Sequence, residues 1–374
     1  MKYWRGYLVA VIFAALSWGL TQFAKAHTSL VDMIYPYVTR LIQTALAGWS
    51  SGADFCLWQV TLVALVVALL ASIVLMVVLR WNPVQWFGWV TAAVCLFSFL
   101  NTGLYGLNAF AGSVADDIRL NVQEGYTPSE LSDAATYFRD KANTLSSQVN
   151  RDSDHQLSVA DFDTLARQAA QGFEALTYDD AISVFAGSTA PVKELGWSDY
   201  YTDRGITGVT VALTGEAAVN PQVPALGLPF AMCREMAYRM CIYGEDDAAF
   251  SAFLACDANE SLLFQYVGYA MAYRACYQAL AASTDSAQRN AAANLHAGAS
   301  TFLKTDLAQY DTFLGDGSEG KDAAVEGDLP TFTDMLVSWY IQEIILPQHV
   351  EEEVKFDPLD ENQVDLSGLV NAES

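Results

Sequence analysis

A chain of 374 residues has room for a membrane region and one or two folded domains. Its 43 acidic and 19 basic residues give a net charge of −24, spread unevenly: residues 1–112 carry +3 and residues 113–374 carry −27. So acidic a second part excludes nucleic acid and anionic lipid as favoured partners, and suits either plain solubility or a cationic partner.

Taken in order, the chain opens with an apolar run from Tyr7 to Ala24 behind Lys2 and Arg5. Ala24-Lys25-Ala26 has the small-x-small shape of a cleavage site. The run is nevertheless longer than the roughly 7–15 apolar residues of a signal peptide, which favours an uncleaved anchor. Leu57–Leu79 holds 23 residues without a formal charge, and a third span follows a polar turn, at about Val84–Tyr105. Trp4, Trp58, Trp81 and Trp86 fall near span ends, the placing of an interfacial aromatic belt. Lys2, Arg5 and Arg80 against Lys25 and Arg40 put the N-terminus in the cytoplasm and the later chain outside. The spans carry no Asp, Glu, Lys, Arg or His, so they read as an anchor rather than a transport path. Between the first two, Ser29–Trp49 is amphipathic and lies either on the membrane surface or against the later domain.

The rest reads as mainly helical. Thr127-Pro128-Ser129-Glu130 is a capping box that starts a helix to about Val149. Further helices are expected from Ser158 to Leu176, from Tyr178 to Phe185, from Glu260 to Leu280, from Asp285 to Phe313 and from Thr331 to Leu346. Ile206–Val219, β-branched and interrupted by glycine, predicts one or two short strands. Gly315–Gly327 reads as a loop, and residues 351–374 form an acidic tail. The organisation is then a membrane region (1–112), a helical extracytoplasmic domain with a small β element (113–350) and the tail.

Leu228–Cys256 is the chemically suggestive stretch: two helices with a bend at Gly244, the second opening on Glu245-Asp246-Asp247. At its centre stands Arg234-Glu235-Met236-Ala237-Tyr238. A zinc peptidase helix has H-E-x-x-H there, its two His ligating zinc from one face and its Glu acting as general base. Here the Glu remains and both His are replaced, while Asp247 stands where a third, acidic ligand would come from.

Around this motif the chain resembles a bacterial membrane-protein family, domain of unknown function 3810, whose members carry an H-E-x-x-H domain. The resemblance runs through Gly205-Ile206-Thr207-Gly208-Val209, Thr214-Gly215-Glu216-Ala217-Ala218-Val219-Asn220, Leu228-Pro229-Phe230, the altered motif and Glu245–Phe250, with Tyr266–Tyr269 also fitting. With the three apolar segments it covers roughly residues 1–280, and residues 203–257 are its specific part. It implies a zincin-like fold, a zinc cofactor, and an edge strand within 206–219 that lays substrate beside the active helix. Without the family, that strand simply pairs in a small sheet.

The altered residues change the chemistry. Zinc lowers the pKa of its bound water to about 7, where a carboxylate such as Glu235 can take the proton. Arg234 offers no lone pair, and Tyr238 is a poor ligand. No cofactor is therefore expected. Arg234 either supplies the missing positive charge by pairing with Asp247 or is a surface residue. Glu216 and Asn220 either border a groove or close a turn. Of the six cysteines, Cys233 and Cys241 are about 12 Å apart along one helix, too far to bridge each other. One of them either bridges to Cys256 or Cys276 or stays a buried thiol. The expected function is that of an inactive zincin relative in a bacterial plasma membrane, binding a peptide or an envelope protein. The competing class is a hydrolase with a rebuilt or metal-independent site.

Overall fold

Four long helices come first in the computed structural model, which describes residues 4–123, 125–177, 184–315 and 329–347. They are α1 (Arg5–Ala26), α2 (Thr28–Ser50), α3 (Leu57–Val78) and α4 (Pro83–Leu104). The first, third and fourth have 22 residues each and are long and apolar enough to cross a membrane. Asn82 starts α4 by accepting from the amides of Val84 and Gln85, with Pro83 at the first helical position.

Helices α1 and α4 run side by side in the same direction. Gly6 meets Gly88 so closely that a Cβ on Gly6 would fall 2.4 Å from the Gly88 carbonyl carbon. Further along, Phe13 meets Phe99 with ring centroids 5.7 Å apart, and Ser17 hydrogen-bonds Thr102 at 3.0 Å. Small residues let the backbones approach, which substitutes in lipid for the missing hydrophobic drive. In contrast, α3 leaves its apolar surface exposed, and of its residues only Gln59 is buried.

Helix α2 settles the reading left open for the amphipathic segment. Its Arg40, Gln43 and Ala47 are buried against the larger domain. Arg40 Nε donates to the Met240 carbonyl at 3.1 Å, and Gln43 Nε2 to that of Ala212 at 2.9 Å. Leu30, Met33, Leu41 and Trp49 of the same helix stay exposed.

The larger domain is mainly helical around a small mixed sheet. Helices α5 (Val114–Asp117), α6 (Pro128–Ser146) and α7 (Phe162–Leu176) precede it. The capping box at Thr127 forms as predicted, with Glu130 returning to the Thr127 amide at 2.7 Å. The start expected at Ser158 moves to Asp161, whose side chain takes the Thr164 amide at 3.0 Å and is the true cap. Strands β1 (Lys193–Glu194), β2 (Gly208–Val211) and β3 (Glu216–Val219) form the sheet in the order β1-β3-β2. β2 pairs antiparallel with β3, and β1 pairs parallel with it. The short helix α8 (Ser198–Thr202) lies between β1 and β2.

Helices α9 (Gly227–Arg239) and α10 (Glu245–Asp257) form the central hairpin, turning through Cys241 in the left-handed region at φ 70°. Both are buried nearly all round, which is why neither shows a clean amphipathic stripe. Helix α11 (Leu262–Ala282) packs on them and on α6. The single helix expected over Asp285–Phe313 is instead two, α12 (Ser286–Gly298) and α13 (Thr301–Leu314). Ser300 makes the break by capping α13, and Asn143 pins the corner through Gly298 and Ser300. Helix α14 (Phe332–Trp339) continues into a wide π-type turn, Tyr340–Ile345. Phe138, Phe253, Tyr269 and Trp339 meet in the core these helices share, Phe138 stacked on Trp339 and Phe253 edge-on to the other three. Most of the expected Tyr178–Phe185 helix, most of the Gly315–Gly327 loop and the acidic tail lie outside the described residues.

Candidate functional site

Arg234-Glu235-Met236-Ala237-Tyr238 sits on α9 against β2. Glu235 is only 3% exposed and points at the strand. Thr210 Oγ1 donates to its Oε2 at 2.8 Å and lies 3.0 Å from its main-chain carbonyl. Gly208 lets the strand come this close, because a Cβ there would stand 2.5 Å from Glu235 Cγ. Burial pushes the Glu235 carboxyl up to about 7, opposed by the neighbouring Arg234 charge and the Thr210 hydrogen bond. The Glu235 carboxyl is thus buried and held against a strand.

Arg234 takes the other direction. Its Nη2 donates a short hydrogen bond to Thr207 Oγ1, just ahead of β2. It also lines a groove of about 370 Å³ whose floor includes Phe230, Met271 and Phe332 and whose rim includes Glu245, Asp246 and Arg274. Tyr238, a turn further along α9, is partly buried against the core. It lies near Tyr105, the residue that ends α4.

Asp247 is not the partner of Arg234. Its Oδ1 accepts from Ser113 Oγ at 2.5 Å and from the Val114 amide at 2.8 Å. It is held to the segment that joins the membrane helices to the domain, beside a cavity of about 40 Å³ lined also by Asp32, Arg40 and Asp117. Burial lifts both Asp247 and Asp117 to about 6.

Glu216 and Asn220 occupy structural positions at the two ends of β3. Glu216 is 1% exposed, and its two oxygens take the amides of Leu57 (2.7 Å) and Trp58 (2.9 Å), the first two residues of α3. Lys193 Nζ pairs with Glu216 at 2.8 Å and also reaches the carbonyls of Ser50 and Phe55. The carboxylate therefore caps a membrane helix, where negative charge is favoured. Asn220 closes the turn after β3, donating to Thr202 and Ile206 and accepting from the Gln222 amide.

These donors do not fit zinc. Arg234 has no lone pair to give, the Glu235 oxygen is committed to Thr210, and Asp247 faces Ser113. Among the described residues no group of three His, Cys, Asp or Glu is placed to hold a metal ion. Cys233 and Cys256, both fully buried, bring their sulfurs within 3.9 Å between α9 and α10, and both are free thiols. The partners Thr210, Thr207 and Ser113 went unread in the sequence. Only Gly208, a glycine inside a strand, marked a close approach there.

No curated protein and no solved structure matches this chain. The family model described as "Protein of unknown function (DUF3810)" matches residues 31–326, so the likeness starts later than the expected 1–280, leaving out α1, and extends further, through α12 and α13. With that match spanning most of the chain, from the docked helix α2 to beyond α13, the protein belongs to the DUF3810 family.

Proposed function

We propose that this protein is a membrane-anchored binding module of the bacterial plasma membrane. Its N-terminus lies in the cytoplasm and its helical domain outside. The domain is an inactive zincin relative that holds an extended peptide, or an extended segment of an envelope protein, without cleaving it. The observation that carries this reading is the state of Glu235: buried, hydrogen-bonded to Thr210 and walled by Gly208, on a helix whose metal-ligand positions hold Arg234 and Tyr238.

The groove beside it suits such a ligand. An apolar floor of Phe230, Met271 and Phe332 takes a side chain, and a rim of both charge signs takes polar backbone or termini. β2 is one of the two edge strands of the sheet and is only partly buried, the arrangement that adds an extended segment. One observation favours the competing hydrolase: a carboxyl raised to about 7 is in the range of a general base.

The test uses the full chain in lipid nanodiscs, incubated with short peptides of random sequence and analysed by mass spectrometry. Retained peptides should be intact. Retention should fall at least about tenfold, roughly 1.4 kcal/mol, in Arg234→Ala, and be unchanged in Glu235→Gln. Fragments that disappear in Glu235→Gln would establish the hydrolase instead, and peptides that are neither kept nor cut would remove both.

A further inference from the structure

The chain between β1 and α8 is tied to the first turn of α3. Gly196 donates its amide to Gln59 Oε1 at 3.0 Å, and Gln59 Nε2 donates back to the Gly196 carbonyl at 2.9 Å. Just before α3, Cys56 Sγ lies 3.2 Å from the Glu194 carbonyl. Tyr201 turns inward onto Cys56, Leu195 and Ala218. This segment of the larger domain therefore stands at the level where the charge-free span begins.

At that level two large rings point outward. Trp197 is 51% exposed and Tyr200 is 54% exposed. Trp197 holds the left-handed backbone conformation, φ 56°, which an L-residue adopts only when its surroundings demand it. The Arg204 guanidinium lies 3.8 Å from the centre of the Tyr200 ring. Phe55, just before α3, and Trp49, near the end of α2, are also exposed. Aromatic side chains from three separate stretches thus border the entry of one membrane span.

We infer that the Trp197–Tyr200 turn is seated in the headgroup region of the same bilayer that α3 crosses. Rings with an apolar body and a polar edge favour that boundary over either water or hydrocarbon. The occupant follows from continuity: Gly196 is bonded to the third residue of the span, so its neighbour Trp197 cannot be far from lipid. The contact needs no cationic patch, which agrees with an acidic domain. It rests the domain on the membrane at a second point beside the Glu216 cap.

The full chain, labelled with 5-fluorotryptophan and placed in phosphatidylcholine nanodiscs, tests this by fluorine NMR. Trp197→Phe assigns the Trp197 resonance, and Trp339, buried in the larger domain, is the reference. A nitroxide carried on the lipid headgroup should abolish the Trp197 signal and leave that of Trp339. A water-soluble gadolinium chelate should leave Trp197 sharp. Loss of the Trp197 signal to the chelate, with no effect of the nitroxide lipid, would overturn the inference. Tyr200→Trp provides a second reporter in the same turn and must behave as Trp197 does.

Discussion

Burial of Glu235 against β2 shifts its carboxyl toward the protonated form. Its carboxyl is raised from an ordinary value near 4.5 to about 7 by burial. Between those values the folded chain holds a proton that the unfolded chain has released, so stability is full below about 4.5 and falls as pH rises to about 7. Asp247, lifted to about 6, adds to the same trend at slightly lower pH. Glu235→Gln keeps an acceptor for Thr210 and removes the titration. Thermal melts of the detergent-solubilised chain should show parent and variant alike at pH 4.5, and the variant more stable at pH 8 by on the order of 1–3 kcal/mol. A parent that gains stability over the variant as pH rises would show that Glu235 is charged and well paired. At this scale the sequence was partly legible. That residues 234 and 238 stand one turn apart could be read from spacing alone, because a helix puts i and i+4 on one face. The partners of Asp247 could not, since Ser113 lies 134 residues away.

The join between β3 and α3 ties the sheet to a membrane span. Glu216 caps α3 across 159 residues of sequence and is neutralised by Lys193, itself mostly buried. Glu216→Ala leaves that ammonium without its carboxylate and the helix amides without an acceptor. It should cost about 3 kcal/mol, and adding Lys193→Met should restore part of the loss. A double-mutant cycle on melting temperature checks this, and strict additivity would show the pair to be uncoupled. In the membrane, Gly6→Leu should force α1 from α4, since even a Cβ there meets the Gly88 backbone. The readout is a crosslink between cysteines placed at Phe13 and Phe99, efficient in the otherwise unaltered chain and lost with Gly6→Leu. Element existence was well signalled by apolar runs and by caps such as Thr127 and Pro128. Boundaries failed where a polar corner interrupted a helical pattern: Ser300 splits the segment read as one helix, and Asp161 rather than Ser158 is the cap. Glu216 was read as bordering a groove or closing a turn. Its structural work is at the membrane helix, which no local pattern could reveal.

Across the whole molecule, the membrane helices and the acidic domain are built as one body. α2 is bonded to the domain through Arg40 and Gln43, and α3 through Glu216 and Gln59, while α1 and α4 pair with each other. The charge asymmetry and the three spans were plain in the sequence. The docking of α2 was not, because an amphipathic helix with Arg40 on one side and Leu41 on the other reads equally as membrane-bound or domain-bound. That construction makes the full chain, rather than an excised domain, the right material for the decisive experiment. Elemental mass spectrometry on the full chain, purified in detergent without chelator and then dialysed after exposure to zinc, measures directly whether the chain holds zinc. Zinc should stay far below stoichiometric in the parent chain and in Glu235→Gln. Stoichiometric zinc retained by the parent would contradict that expectation, and would mean that this chain holds a metal through ligands other than the motif positions 234 and 238.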